Sequence, residues 1–187
     1  VDGDPMEGAL LALSRKLKPG GAKAFARWTR TSVIPFDARH RYMASLHHDH
    51  EGHAAIYVKG APERIIAMCS TQRGASGRSQ RLDRDVWHAA ANDIAAKGQR
   101  VLAFAVRNMP AAHKLLAVSD VDGHLTLLGL VGLMDPPRPE ATAAVATCRA
   151  AGIRVKMITG DHAGTAVAIA RQIGLQSPDR ILTGTDL

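Results

Sequence analysis

The sequence predicts an α+β body up to about residue 134 followed by a partial α/β unit, and three observations carry that prediction. First, TSVIPF and RYMASLHHDHEGHAAIYVKG are rich in β-formers, and the second folds back at a turn over residues 49–52, the mark of a hairpin. Second, two further apolar stretches, RVLAFAVRNM and HLTLLGLVGLM, read as strands, while helical stretches fall before and between the strands without regular alternation. Third, the texture changes at DPPRPE, a rigid break because successive prolines fix φ and remove donors. Beyond that break the order is helix, strand, turn, helix, as in a parallel α/β layer.

Taken in order, Asp4 caps a first helix, Pro5 suits its first position and Glu7 completes a capping box, with KPGG ending the helix at 18–21. Residues 22–28 suit a second short helix. After the hairpin a helix is expected over 62–68, and QRGASGRSQRLDR, residues 72–84, reads as a mobile loop. A helix over 83–97 ends at Gly98. An Asp122-Gly123 turn introduces the strand that runs to Met134. The tail then reads as helix 139–151, strand 153–158, a polar turn at 159–162 and helix 163–173.

A chain of 187 residues that is 46% hydrophobic can bury a core. Its longest apolar run, 125–134, is broken by glycines and far short of the roughly 20 residues that cross a bilayer. No signal-peptide pattern is visible, and the start at Val1, with a helix almost at once, is that of a piece of a longer protein. Cys69 and Cys148, widely spaced, read as reduced thiols of a cytosolic protein. The net charge of +7 favours anions in general. Aromatics at 4% are too few for a base-stacking platform, and no nucleic-acid motif accompanies the charge, so nucleic acid is set aside.

Four stretches carry chemistry. In MITGDH, Thr159, Gly160 and Asp161 place a hydroxyl, a glycine and a carboxylate at a helix N-terminus, which suits a phosphate or its metal. In IPFDARHRYM, Phe36 stands beside Arg39, His40 and Arg41, a ring to stack on a purine and cations to meet phosphate, although Phe36 also suits a core. VKGAPE ends a strand with Lys59, and Gly60 would let a ligand approach the backbone; a surface lysine before an ordinary turn is the equal alternative. Asp135 and Arg138, around the proline pair, read as a hinge or as a linker with a local ion pair.

GDPMEGAL, PFDARHRYM, VKGAPE, GQRVLAFA, DPPRPE and MITGDH, in this order and approximate spacing, resemble P-type cation-transporting ATPases, closest to the branch of calcium pumps and related bacterial ion pumps. The resemblance covers nearly the whole chain. It implies a cytosolic nucleotide-binding domain over 1–133, an antiparallel sheet flanked by helices. A partial phosphorylation domain over 134–187 follows, a Rossmann-like segment of the haloacid-dehalogenase type, with a hinge at 134–139. It places Glu7 near the adenine amino group, Phe36 on the adenine ring and Lys59 with Gly60 at the base of the pocket. Arg100, with Arg41, falls on the phosphates. Asp135 and Arg138 become the hinge, and Thr159, Gly160 and Asp161 the loop that meets the γ-phosphate. The cofactors implied are ATP and the magnesium it brings. The partners are ATP and the rest of the same pump, its transmembrane, actuator and remaining phosphorylation domains, on the cytosolic face of a membrane.

Departures from the pattern shape the expectation. The DKTGT segment, whose aspartate takes the phosphoryl group, and the GDGxND metal segment are absent from residues 1–187, and an arginine common two positions after the stacking ring is Ala38. The fragment is therefore expected to bind ATP weakly, at about millimolar or about 4 kcal/mol, and to turn nothing over. Two other readings compete. SDVDGHL resembles the nucleophile motif of haloacid-dehalogenase-type phosphatases, with Asp120 as nucleophile and Asp122 as acid/base, although His124 replaces a threonine and an Asp-Gly turn explains the pattern cheaply. An EF-hand is excluded because Val131 takes the twelfth position from Asp120. HHDHEGH, residues 47–53, packs four His and two acids into the hairpin, with His48 and His50 on one face if the strand continues. It reads as a hairpin tip with adventitious metal affinity.

Overall fold

In the computed structural model, which describes residues 5–17, 27–134, 137–159 and 163–182, a seven-stranded mixed sheet runs in the order β1-β2-β3-β6-β7-β4-β5. Its strands are β1 (Thr29–Asp37), β2 (Tyr42–His48), β3 (Ala54–Gly60), β4 (Cys69–Arg73), β5 (Ser79–Arg81), β6 (Arg100–Met109) and β7 (Leu125–Leu133). The helices are α1 (Pro5–Leu17), α2 (Pro62–Met68), α3 (Arg84–Ala96), α4 (Pro139–Ala150) and α5 (Ala163–Gln172). Two units make up the chain, one of Val1–His88 with Leu102–Val131, the other of Ala89–Val101 with Gly132–Leu187.

The first unit is built on β1, β2, β3 and most of β6. β2 and β3 pair antiparallel from Tyr42↔Gly60 to His48↔Ala54, and β3 pairs antiparallel with β6 from Ala54↔Met109 to Gly60↔Ala103. Alternation then sorts the side chains. Tyr42, Ala44 and Leu46 face the core with Val58, Ile56, Ala103 and Ala105, where Ile65, Ile66 and Met68 of α2 join Leu125 and Leu127 of β7. Pro62 starts α2 without needing a donor, which is why a helix can follow β3 after one residue. The opposite face carries Met43, Ser45, Tyr57, Lys59 and Phe104.

Three expectations need correction here. The sheet is not wholly antiparallel, because β4 runs parallel to β7, Cys69 opposite Leu125 and Gln72 opposite Leu127. Residues 72–84 are not a loop throughout. β4 and β5 pair over Thr71↔Arg81, Gln72↔Gln80 and Arg73↔Ser79, and the Gly74 and Gly77 N–H groups close the turn. Gly77, at φ 76°, takes the left-handed conformation that such a turn requires. Last, residues 153–158 form no strand, and Ile153 and Ile158 in that run stay exposed. The expected short helix at 22–28 lies mostly outside the described residues.

In the second unit α5 buries Thr165, Ala168 and Ala170, while α4 buries none of its residues. Gly98, at φ 78°, ends α3 where an added Cβ would stand 3.0 Å from the Ala168 Cβ, so the close approach and the turn both select glycine.

Candidate functional site

The site is assembled at one end of β1, β2 and β3, on the face away from the core. β1 pairs with β2 in register from Ser32↔Leu46 to Ile34↔Ala44 and again at Asp37↔Tyr42, with one irregularity before Ser32 and a second between Ile34 and Asp37. Pro35 falls in the second irregularity on an edge strand, where a missing donor costs least. Unbroken alternation from Ile34 would turn Phe36 into the core. The bulge resets it: Asp37 returns to the side of Tyr42, so its neighbour Phe36 alternates to the side of Met43 and Lys59, and its ring is 62% exposed.

Lys59 stands opposite Met43 on one side and Phe104 on the other. Its Nζ donates to the Oε1 of Glu7, joining α1 to β3 across 52 positions of sequence. The Lys59 side chain is mostly covered and that of Glu7 half-exposed, so the pair opens to solvent on the acidic side. Phe36 and Lys59 lie two strands apart, about 10 Å of sheet surface. Glu7 thus acts through this pair; its expected capping partner Asp4 lies outside the described residues.

The turn between β1 and β2 is tied by hydrogen bonds. Asp37 Oδ1 accepts from the Arg39 N–H at 2.8 Å and from Arg39 Nε at 3.0 Å, and Oδ2 from Arg39 Nη2 at 2.7 Å. The Arg39 guanidinium, aided by its backbone N–H, holds the Asp37 carboxyl at about 2. The Arg41 N–H reaches the Asp37 carbonyl at 2.7 Å, with Arg41 at φ 58°. Arg41 Nη1 donates to Glu63 Oε1 at 2.7 Å, and the Arg41 carbonyl accepts from the Ala61 N–H at 3.0 Å. Gly60 is buried beneath this contact: a Cβ there would lie 2.4 Å from the Arg41 carbonyl oxygen and 2.8 Å from the Tyr42 Cα. The close approach that the sequence suggested for a ligand is made by the protein's own backbone.

The remaining expected residues lie elsewhere. Arg100 opens β6 at an exposed position in the second unit. Arg138 caps α4, its carbonyl accepting from Ala141 and Thr142. Thr159 is exposed and in no regular element, while Asp135, Gly160 and Asp161 lie outside the described residues. Met43 and Phe104, which flank Lys59, carry no motif in the sequence that marks them. Glu63 shows there only as an acid in the first turn of a helix, and its pairing with Arg41, 22 positions away, leaves no local signal.

Both competing constellations are occupied by structural work. Asp120 ends a single 3-10 turn, and its Oδ2 accepts from the Ala117 N–H at 2.7 Å and from His113 Nε2 at 3.0 Å. Burial raises its carboxyl, but those donors outweigh it and the net shift is downward. A carboxylate spent on closing its own turn is poorly set for nucleophilic attack. The histidines of 47–53 scatter: His47 contacts Ser45 Oγ and the Tyr57 ring, and His48 bridges Thr31 and the His113 carbonyl. His50 lies in the turn, not on the strand beside His48. Asp49, Glu51 and His53 do come together, but Asp49 accepts from the N–H groups of both others and Glu51 pairs with Arg27.

Comparison with known proteins gives the family. Residues 1–140 match the family described as P-type ATPase, cytoplasmic domain N. Cation-transporting ATPase pma1 of Synechocystis is 44% identical over 175 residues, 94% of this chain and 19% of that protein. The protein named "Probable cation-transporting ATPase F" in Mycobacterium tuberculosis is 40% identical over 192 residues, 100% of this chain and 21% of its own. Sodium/potassium exporting P-type ATPase cta3 of Schizosaccharomyces pombe is 39% identical over 180 residues, 95% of this chain and 17% of its own. The chain thus spans about a fifth of the length of the curated relatives it matches.

Proposed function

This chain belongs to the P-type cation-transporting ATPases, in the part described as cytoplasmic domain N, and from that premise we propose that it holds ATP for phosphoryl transfer within a cation pump. The observation that carries the proposal is the Lys59–Glu7 pair on the open face of the sheet, at the end where the β1 bulge exposes Phe36. Such a set fits an adenine ring. Phe36 offers a face to stack on, Glu7 an acceptor for the exocyclic amino group and Lys59 a donor for a ring nitrogen. Guanine presents a carbonyl where adenine has that amino group, so the carboxylate favours ATP over GTP.

Arg100 steers the phosphates, and magnesium arrives with them. The segment at 134–139, with Asp135 and Arg138, serves as the hinge, and Thr159, Gly160 and Asp161 meet the γ-phosphate. The acceptor aspartate is supplied by the rest of the pump, on the cytosolic face of the membrane. Phosphoryl transfer of this kind depends on positioning and charge stabilisation, and residues 1–187 contribute the positioning. Alone they hydrolyse no ATP.

Calorimetric titration with ATP tests the pair. Glu7→Gln and Lys59→Ala are each expected to weaken binding about tenfold, about 1.4 kcal/mol. Unchanged affinity in both would move the adenine site elsewhere.

A further inference from the structure

We propose that Arg41 and Glu63 form a clamp between the β1–β2 turn and the start of α2, and that Arg41 is a positioning residue for the base rather than a phosphate ligand. The proposal rests on the nucleotide reading above and sharpens it.

Four contacts fasten the two segments. Arg41 Nη1 donates to Glu63 Oε1 at 2.7 Å, and the Ala61 N–H donates to the Arg41 carbonyl at 3.0 Å. Gly60 seats its bare Cα where any side chain would strike that same carbonyl at 2.4 Å. Next to Glu63, the Arg64 guanidinium lies over the Tyr42 ring, 5.8 Å from its centroid. Arg41 itself is in the left-handed region, φ 58°, a conformation that a non-glycine residue holds when its surroundings specify it. Its N–H on the Asp37 carbonyl, 2.7 Å, and its carbonyl on Ala61 supply that specification.

The consequence is geometric. Phe36 sits immediately before the tied turn and Lys59 immediately before the Gly60 seat, so fastening Arg41 to residues 60–63 fixes the stacking ring relative to the ammonium. The Arg41 Nη1 is engaged by the Glu63 carboxylate at 2.7 Å, which holds the guanidinium at the start of α2. Arginine suits the clamp because its planar fork matches a carboxylate.

The test compares ATP with adenosine, which has the base but no phosphate, on wild type, Arg41→Gln, Glu63→Gln, the double variant and the exchanged pair Arg41→Glu with Glu63→Arg. The clamp predicts that each single variant weakens both ligands by the same factor, about two- to fivefold, as for a half-exposed ion pair. The double variant is then no worse than either single, and the exchange recovers part of the loss. Before any ligand is added, the Phe36 and Lys59 amide resonances move alike in Arg41→Gln and Glu63→Gln. Arg41→Gln weakening ATP alone, with Glu63→Gln silent, overturns the clamp in favour of a phosphate contact. If wild type binds neither ligand, the nucleotide reading fails and the ligand-free spectra still decide the clamp: silent Phe36 and Lys59 resonances overturn it.

Discussion

Gly60 and the hairpin histidines show how single side chains set this molecule. Gly60→Ala places a methyl 2.4 Å from the Arg41 carbonyl oxygen and 2.8 Å from the Tyr42 Cα, backbone atoms that cannot swing aside as a side chain would. Overpacking of this kind costs about 3 kcal/mol, to be read as a lowered denaturation midpoint at unchanged slope. His53 donates from Nδ1 to Asp49 Oδ2 at 2.8 Å, and that hydrogen bond raises its pKa above 6.5. Its contribution to stability is fully present below 6.5 and is lost as the pH rises through the raised value. His47 is shifted down by burial, so stability is highest above 6.5 and falls as the pH drops through its lowered value. A proton NMR titration is expected to place His53 above 6.5 and His47 below it, and Asp49→Asn to bring His53 back down without moving His47.

At the scale of the element, the legible parts of the fold were those with their own local signal. Proline at the first position gave α2 and α4, the 49–52 turn gave the hairpin, and β-forming residues gave β2 and β3. The β4–β5 hairpin was hidden because β5 lies at the sheet edge with all three residues exposed, so Ser79–Arg81 needs no apolar pattern. The opposite error at 153–158 has the same root. An apolar run does not by itself make a strand, and here Ile153 and Ile158 stay exposed, Ile158 at 98%. Of the candidate site, Phe36 and Lys59 carried a chemical reading of their own and Glu7 only a capping one beside the resemblance, while the bulge that turns Phe36 outward and the pairing of Arg41 with Glu63 depend on contacts distant in sequence and were not legible. The segment between β6 and β7 offers a test at this scale. Asp120→Asn weakens the closure of its turn and the tie to His113, at a cost of about 1 kcal/mol in denaturant unfolding. ATP affinity is expected to stay unchanged; abolition of a phosphate-ester hydrolysis would instead revive Asp120 as a nucleophile.

For the whole molecule, the proposed function asks of residues 1–187 a selective seat for the base and little else, because it shares the chemistry with the rest of the pump. The matches at 39–44% identity extend over almost the full chain yet over only about a fifth of each relative. No helix among the described residues is long and apolar enough to cross a membrane. The measurement that tests the central claim most directly is an amide-resolved NMR titration with ATP, repeated with GTP and with Phe36→Ala. Saturable shifts centred on Phe36 and Lys59, weaker for GTP and lost in the variant, are the predicted result. Saturation by ATP with those residues unmoved, or equal response to GTP, would contradict it.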